Sequence, residues 1–277
     1  MIRINDIETL RKISKEIRKD IVISLANAGS GHLGGSLGLA DIFTCLYFNI
    51  LNHNPKKPDW EERDRLILSI GHVAPVLYAS LANAGYFDRK ELLTLRKLGS
   101  RLQGHPGKEY GLPGIEVSSG SLGQGLSIAV GLALAAKIDN KKWRTYSIHG
   151  DGELQEGSIW EAAMSASYYK LDNLVALIDR NNCQIDGRTS DVMEIEPLKL
   201  KWISFGWNVI ECKGNYHPEI IDSYLKASYI KGKPTVIIAK TIMGKGVKSI
   251  EDDYRWHGKA PNKDEADLFL KEIEAVQ

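Results

Sequence analysis

The sequence predicts an α/β fold built on a mainly parallel sheet flanked by helices. Strand-like apolar runs alternate with helix-period runs along most of the chain, and a strand, a helix and a second strand follow one another in the middle with only short turns between them. Such units are right-handed crossovers that leave their two strands parallel. No repeat, low-complexity tract or long linker breaks the pattern, and 277 residues suffice for one large core, so a single domain over residues 1–277 is expected.

From Ile4 to Ala28 the apolar residues Ile7, Leu10, Ile13, Ile17, Ile21 and Leu25 recur every three or four positions, the pattern of a long amphipathic helix. The glycine-rich stretch Gly29–Gly38 is expected to stop it. A second helix is read over Leu39–Asn49, a short strand over Arg65–Ser69 leading into Gly71-His72, and a third helix over Val73–Ala84. Gly99–Ser121 reads as loop. Leu122–Lys137 is small and apolar, so this helix is expected to be buried inside the protein or against another subunit. The clearest unit comes next: strand Thr145–His149, turn Gly150-Asp151-Gly152, helix Glu156–Tyr169, strand Leu174–Asp179 and loop Arg180–Gly187. Trp207–Glu211 and Pro234–Lys240 are two further strands.

A net charge of +1 gives no reason to expect a nucleic-acid or anionic-membrane partner, although local sites for small anions remain open. Cys45, Cys183 and Cys212 are far apart and form no Cys-x-x-Cys pair, which indicates neither a disulfide framework nor a zinc site. The N-terminus mixes charged and apolar residues without the core of a secretory signal, and no later apolar run approaches a membrane span, so a cytoplasmic protein is expected.

In a parallel sheet, ligands gather beyond the carboxyl ends of the strands. That is where Gly150-Asp151-Gly152 falls. Its glycines admit a bulky ligand, and the Asp151 carboxylate stands beside a helix N-terminus that favours anions. Thirty residues later Asn181 leaves the next strand. One carboxylate and one amide oxygen, completed by phosphate oxygens and water, suit Mg²⁺ or Ca²⁺. Read alone, a GDG is a tight turn; with the strand before it, the helix after it and Asn181-Asn182 at the next strand end, it reads as a ligand site. Four of the seven histidines, His32, His72, His105 and His257, sit beside glycine outside the predicted strands; His149, before Gly150 inside a strand, and His53 and His217 are assigned no role. Each of the four alone is an ordinary surface or core histidine, but together they fit a polar cluster able to bind hydroxyls and move protons near neutral pH.

The GDG-to-Asn spacing resembles that of thiamine-diphosphate enzymes. More narrowly, SGHLGGSLGLADI, IGHVAPVLYASLANAGY, QGHPGKEYGLPGIEVSSGSLGQGLSIAVGLALAAK, HGDGELQEGSIWEAA, IDRNNCQIDG and KTIMGKGVKSIEDDYRWHGKAP resemble the N-terminal, diphosphate-binding half of a transketolase, in family order over nearly the whole chain. The resemblance implies a three-layer thiamine-diphosphate-binding fold and transfer of a two-carbon ketol unit from a ketose phosphate to an aldose phosphate. It implies Mg²⁺, with Ca²⁺ or Mn²⁺ as substitutes, on Asp151, Asn181 and the carbonyl of Cys183, with Gly150 and Gly152 on the diphosphate. Gly120, Ser121 and Leu122 would lie along the cofactor's rings, His72 and His257 near it, and His32, His105 and His257 in the sugar channel. Glu156 matches a glutamate that links two active sites across an interface; as a helix N-terminal acid it is equally well explained.

Met243 stands where several transketolases carry a lysine, for which Lys245 is a candidate substitute. The pyrimidine-binding and C-terminal domains of a full-length transketolase are not in this sequence and are expected on a partner chain, most simply as two copies of each. The pathway would be the pentose phosphate pathway or one for more specialised sugars. Rival readings are another thiamine-diphosphate enzyme, of the deoxyxylulose-phosphate-synthase or ketoacid-dehydrogenase kind, and a non-catalytic cofactor-binding module. His105 in GHP and His257 in WHG favour ketose recognition.

Overall fold

The computed structural model describes residues 3–275, so the first two and last two residues of the expected domain lie outside the described range. Helix α1, Ile7–Ala28, begins later than expected because Asp6 caps it, accepting the Thr9 amide at 2.9 Å, while Ile4 is tied in extended form to the Phe48 carbonyl. Gly29 closes it with φ 68°. Leu10, Ile17, Ile21 and Leu25 on its inner face are fully buried, each contributing about 1.5–3 kcal/mol.

The glycine-rich stretch does not stay open. Leu33–Gly38 is helix α2, and the expected second helix is broken into α3, Ala40–Cys45, and a π-turn, Leu46–Ile50. Tertiary packing overrides the poor helix propensity of glycine here. A Cβ on Gly34 would come within 2.6 Å of Met243 and one on Gly38 within 2.9 Å of the Ile242 carbonyl, so α2 is glycine-rich in order to lie against the 242–244 segment.

Strand β1, Arg65–Leu68, leads through a 3-10 turn at Gly71–Val73 into α4, Ala74–Asn83. After the long loop come α5, Gln124–Ile138; β2, Thr145–Gly150; α6, Gly157–Tyr168; and β3, Leu174–Arg180. The loop expected over Arg180–Gly187 contains a small antiparallel hairpin, β4 Cys183–Gln184 and β5 Gly187–Arg188. Then follow α7, Thr189–Val192; α8, Leu198–Ser204; β6, Asn208–Lys213; α9, His217–Tyr229; β7, Thr235–Lys240; and α10, Lys263–Ala275.

The five long strands form one sheet in the order β1-β2-β3-β7-β6, parallel throughout. Alternate residues divide between two cores. Leu66, Leu68, Ile148, Val175, Leu177 and Ile237 face the side of α1, α3, α4 and α9, whereas Ile67, Ala176, Ile178, Val236 and Ile238 face α5, α6 and α8. The result is the three-layer helix–sheet–helix arrangement. Helix α5 is only half covered: Gly125, Leu126, Ala129, Val130, Ala133 and Ala136 are buried against the sheet, whereas Ser127, Gly131, Ala135 and Ile138 are exposed in this chain. Helical periodicity gives even an all-apolar helix two faces, and the chain covers only one.

Candidate active site

The sequence-predicted residues converge at the carboxyl ends of β1, β2, β3 and β7. Register explains the first group. Gly150 pairs with Asp179 across β2 and β3, and Asp179 pairs with Ala239 across β3 and β7, so the GDG turn, the Asp179–Asn182 segment and Thr241 leave the sheet side by side. Asp151 is 1% exposed. One of its carboxylate oxygens accepts the Asn182 amide at 2.6 Å and the Arg180 guanidinium at 2.9 Å; the other accepts the Gly152 amide at 2.7 Å. Burial pushes the Asp151 carboxyl above its ordinary range, and Arg180 only partly offsets this. The Asn182 amide reaches Asp151 because Asn182 adopts φ 59°.

Asn181 donates its amide nitrogen to Asp179 at 2.8 Å and accepts the Cys183 N–H at 2.8 Å, so its side chain is held from both ends. Asp179, also bonded by the Thr241 hydroxyl, is buried and titrates at about 7, chiefly through desolvation. Cys183 is buried and its thiol is pushed up to about 11 by the same cause, which leaves its backbone carbonyl as the group suited to a hard cation. Among the described residues no three His, Cys, Asp or Glu side chains form a metal-binding cluster.

The histidines form the second group. His32 caps α2, His72 lies in the turn after β1, and His257 follows a 3-10 turn at Tyr254–Trp256. Their ring centroids are 5.0, 5.1 and 5.8 Å apart, all three in mutual contact. Burial, reinforced by the neighbouring imidazoles, lowers His32 to about 4 and His72 to about 3; burial also lowers His257. His105 is more exposed and stands against Gly120, where an added Cβ would meet its ring at 3.1 Å. It too is lowered, by burial first and then by Arg96. Leu122 packs on the larger core, Ser121 is exposed, and Gly120 adopts φ 145° with the His105 ring close against it.

The glycines and several polar atoms leave room and valence for a ligand. The buried atoms His32 Nδ1, His257 Nδ1, Ser119 Oγ and Gln184 Nε2 have no hydrogen-bond partner in the protein. Ser119 lies against Gly71, next to His72, and Gln184 lies against Gly152. A phosphate-bearing, ring-containing cofactor on a divalent cation fits this donor set and cradle.

Other expectations resolve differently. His53, His149 and His217, which carry no role on sequence grounds, are buried in hydrogen bonds to Tyr47 and Tyr86, to Ser147 and Glu153, and to Ser14. Met243 is fully buried against Gly34, and Lys245 is paired with Glu251 at 3.1 Å. Glu156 is exposed at the N-cap of α6 without a capping hydrogen bond of its own, beside Gly123. Sequence reading missed Arg96, Asp179, Arg180 and Glu153. Only Glu153 had a signal: an acid adjoining the GDG turn, which burial makes unusual.

The chain matches the family described as transketolase, thiamine diphosphate binding domain, over residues 9–273. The chain belongs to the transketolase family. It is 43% identical over 267 residues to an apulose-4-phosphate transketolase subunit of Phocaeicola vulgatus, covering 96% of this chain and 94% of that protein. It is 44% identical over 241 residues to the 6-deoxy-6-sulfo-D-fructose transketolase subunit of a Clostridium species, covering 87% of each. The crystal structure of Campylobacter jejuni transketolase superposes with a TM-score of 0.91 at 34% identity, over 97% of this chain and 43% of that one. The chain therefore spans less than half of that full-length transketolase and matches the two relatives named as subunits over most of their length. As a transketolase subunit it is part of a transferase of ketol groups and carries the thiamine-diphosphate-binding domain.

Proposed function

We propose that this chain is the diphosphate-binding half of a two-chain transketolase that moves a two-carbon ketol unit from a ketose phosphate to an aldose phosphate. The observation that carries the reading is the contact of three imidazoles, two with unpartnered buried nitrogens, beside a glycine-lined turn at the strand ends. Bound thiamine diphosphate supplies the nucleophilic carbon and the electron sink for cleaving the bond next to a ketose carbonyl. Asp151, Asn181 and the Cys183 carbonyl hold Mg²⁺, with Ca²⁺ or Mn²⁺ as substitutes. Gly150 and Gly152 let the diphosphate approach the backbone, while Gly120, Ser121 and Leu122 line the cofactor's rings. His72 and His257 contact the cofactor. His32, His105 and His257 bind sugar hydroxyls; with His32 lowered to about 4, its imidazole stays neutral at pH 7 and offers one ring N–H and one ring lone pair to hydroxyls.

This chain contributes its single domain, and the partner supplies the pyrimidine-binding and C-terminal domains. The exposed side of α5 and the exposed Glu156 support self-association, most simply as two copies of each chain in the cytoplasm. The substrates of the relatives, apulose 4-phosphate and 6-deoxy-6-sulfo-D-fructose, extend the reading to specialised sugars as well as the pentose phosphate pathway. Reconstitution with the partner chain tests the proposal: ketol transfer from xylulose 5-phosphate or a specialised ketose is expected only with both chains, thiamine diphosphate and Mg²⁺. Turnover by this chain alone overturns the split-enzyme reading, and pyruvate decarboxylation by the pair overturns the ketol-transfer reading.

A further inference from the structure

We propose that Glu153 is a positioning residue: a buried carboxylate that sets the spacing between the 120–123 loop and the Gly150–Gly152 turn, and so shapes the cofactor cleft. The inference rests on the functional reading above.

Glu153 is 2% exposed and its two oxygens divide the work. Oε1 accepts the Gly123 N–H at 2.8 Å and the Ser69 hydroxyl; Oε2 accepts the Gly150 N–H at 3.2 Å and His149 Nδ1 at 3.1 Å. One oxygen therefore faces the loop side of the cleft and the other the turn side. Ser69, at the end of β1, receives the Gly125 N–H at 3.1 Å, and His149 is held from behind by the Ser147 hydroxyl at 2.9 Å.

These contacts replace a missing cap. Gly123 opens α5 with φ 83° and has no side chain with which to satisfy the first amides of the helix. Glu153 and Ser69 take those amides from the far side of the cleft. A buried carboxylate is costly unless its lone pairs are used, and four donors converge on this one. A residue needed only to fill space would be apolar at this position. The arrangement instead makes the separation of loop and turn depend on the width of a single carboxylate. The Glu153→Gln substitution keeps the volume but turns one acceptor into an N–H donor facing other donors, so one side of the cleft loses its hold.

The test uses the full chain with its partner subunit, titrated with thiamine diphosphate in Mg²⁺ and followed by tryptophan fluorescence. Glu153→Gln is expected to raise the cofactor Kd by ~10-fold or more, in line with other supporting-shell losses, while the sugar KM at saturating cofactor stays within about twofold. Amide exchange at Gly123 or Gly150 is expected to quicken. Ser69→Ala, which leaves the carboxylate in place, is expected to give a smaller rise and guards against a Glu153 variant that fails to fold. Leu10→Ala, a core change at the start of α1, is the control: it lowers thermal stability and leaves the Kd unchanged. Wild-type affinity in both cleft variants overturns the proposal, as does an equal loss in Leu10→Ala. Failure of the wild-type complex to bind thiamine diphosphate overturns the functional reading itself and this inference with it.

Discussion

Single side chains shape the proposed cation site. Asp179 holds the amide nitrogen of Asn181, which turns the Asn181 oxygen to the Cys183 N–H. Asp179→Asn replaces an acceptor with a donor facing the Asn181 amide, and the expected result is a ~10–100-fold loss of Mg²⁺ affinity with the fold retained, read by metal titration of cofactor binding. Asp151→Ala is expected to abolish cofactor-dependent turnover of the complex; undiminished turnover would favour a binding-only role. His105 is the least enclosed of the four histidines, and His105→Ala is expected to lower kcat/KM for the ketose by ~10²-fold while leaving cofactor affinity near wild type. The residues of this site were legible where chemistry and local pattern coincide: Asp151 between two glycines, Asn181 at a strand end, histidines beside glycine. Arg96, Asp179 and Arg180 were not. The roles of Asp179 and Arg180 arise from register and from side chains meeting across the ends of different strands, and that of Arg96 from a turn folded against Ser30 and Gly104; no local pattern records either.

At the level of elements, the sequence pattern located all five long strands to within about two residues, because buried parallel strands are continuous apolar runs bounded by turn residues. It failed on α2 for a physical reason: glycine lowers helix propensity locally but permits the close approach to Met243 and Ile242 that makes the helix worthwhile. It half-succeeded on α5, where composition revealed apolarity but not which side the chain covers. That open side can be probed directly. An added Cβ at Gly131 meets nothing within 4 Å, so Gly131→Arg fits the isolated chain and gains ~0.5–1 kcal/mol in helix propensity. If a second copy packs there, sedimentation of the variant should show the lighter species with no loss of melting temperature; an unchanged assembly would move the contact elsewhere.

For the molecule as a whole, the imidazole cluster couples folding to pH. His32 and His72 titrate at about 4 and about 3 in the fold, against 6.5 when solvated. From pH 6.5 downward the unfolded chain takes up protons that the folded chain refuses until about pH 4 or lower, so the stability of the cofactor-free chain falls as pH drops through this window; above it these groups have no effect. Urea midpoints at pH 7 and 4.5 measure the loss, and His72→Asn should make it shallower. An equal slope in that variant would place the titrating groups outside the cluster.

Because the Arg180 guanidinium already rests on Asp151, the chain without cofactor carries no naked charge at that depth. If Asp151 holds a divalent cation as proposed, that cation would have to displace the guanidinium, which would keep Glu196, contacted at 3.1 Å. Such loading would trade one cation for another, so its net gain would be smaller than capture by a bare carboxylate. On the proposed reading a chelator should then strip the cation without unfolding the chain, because the Arg180 guanidinium already satisfies Asp151.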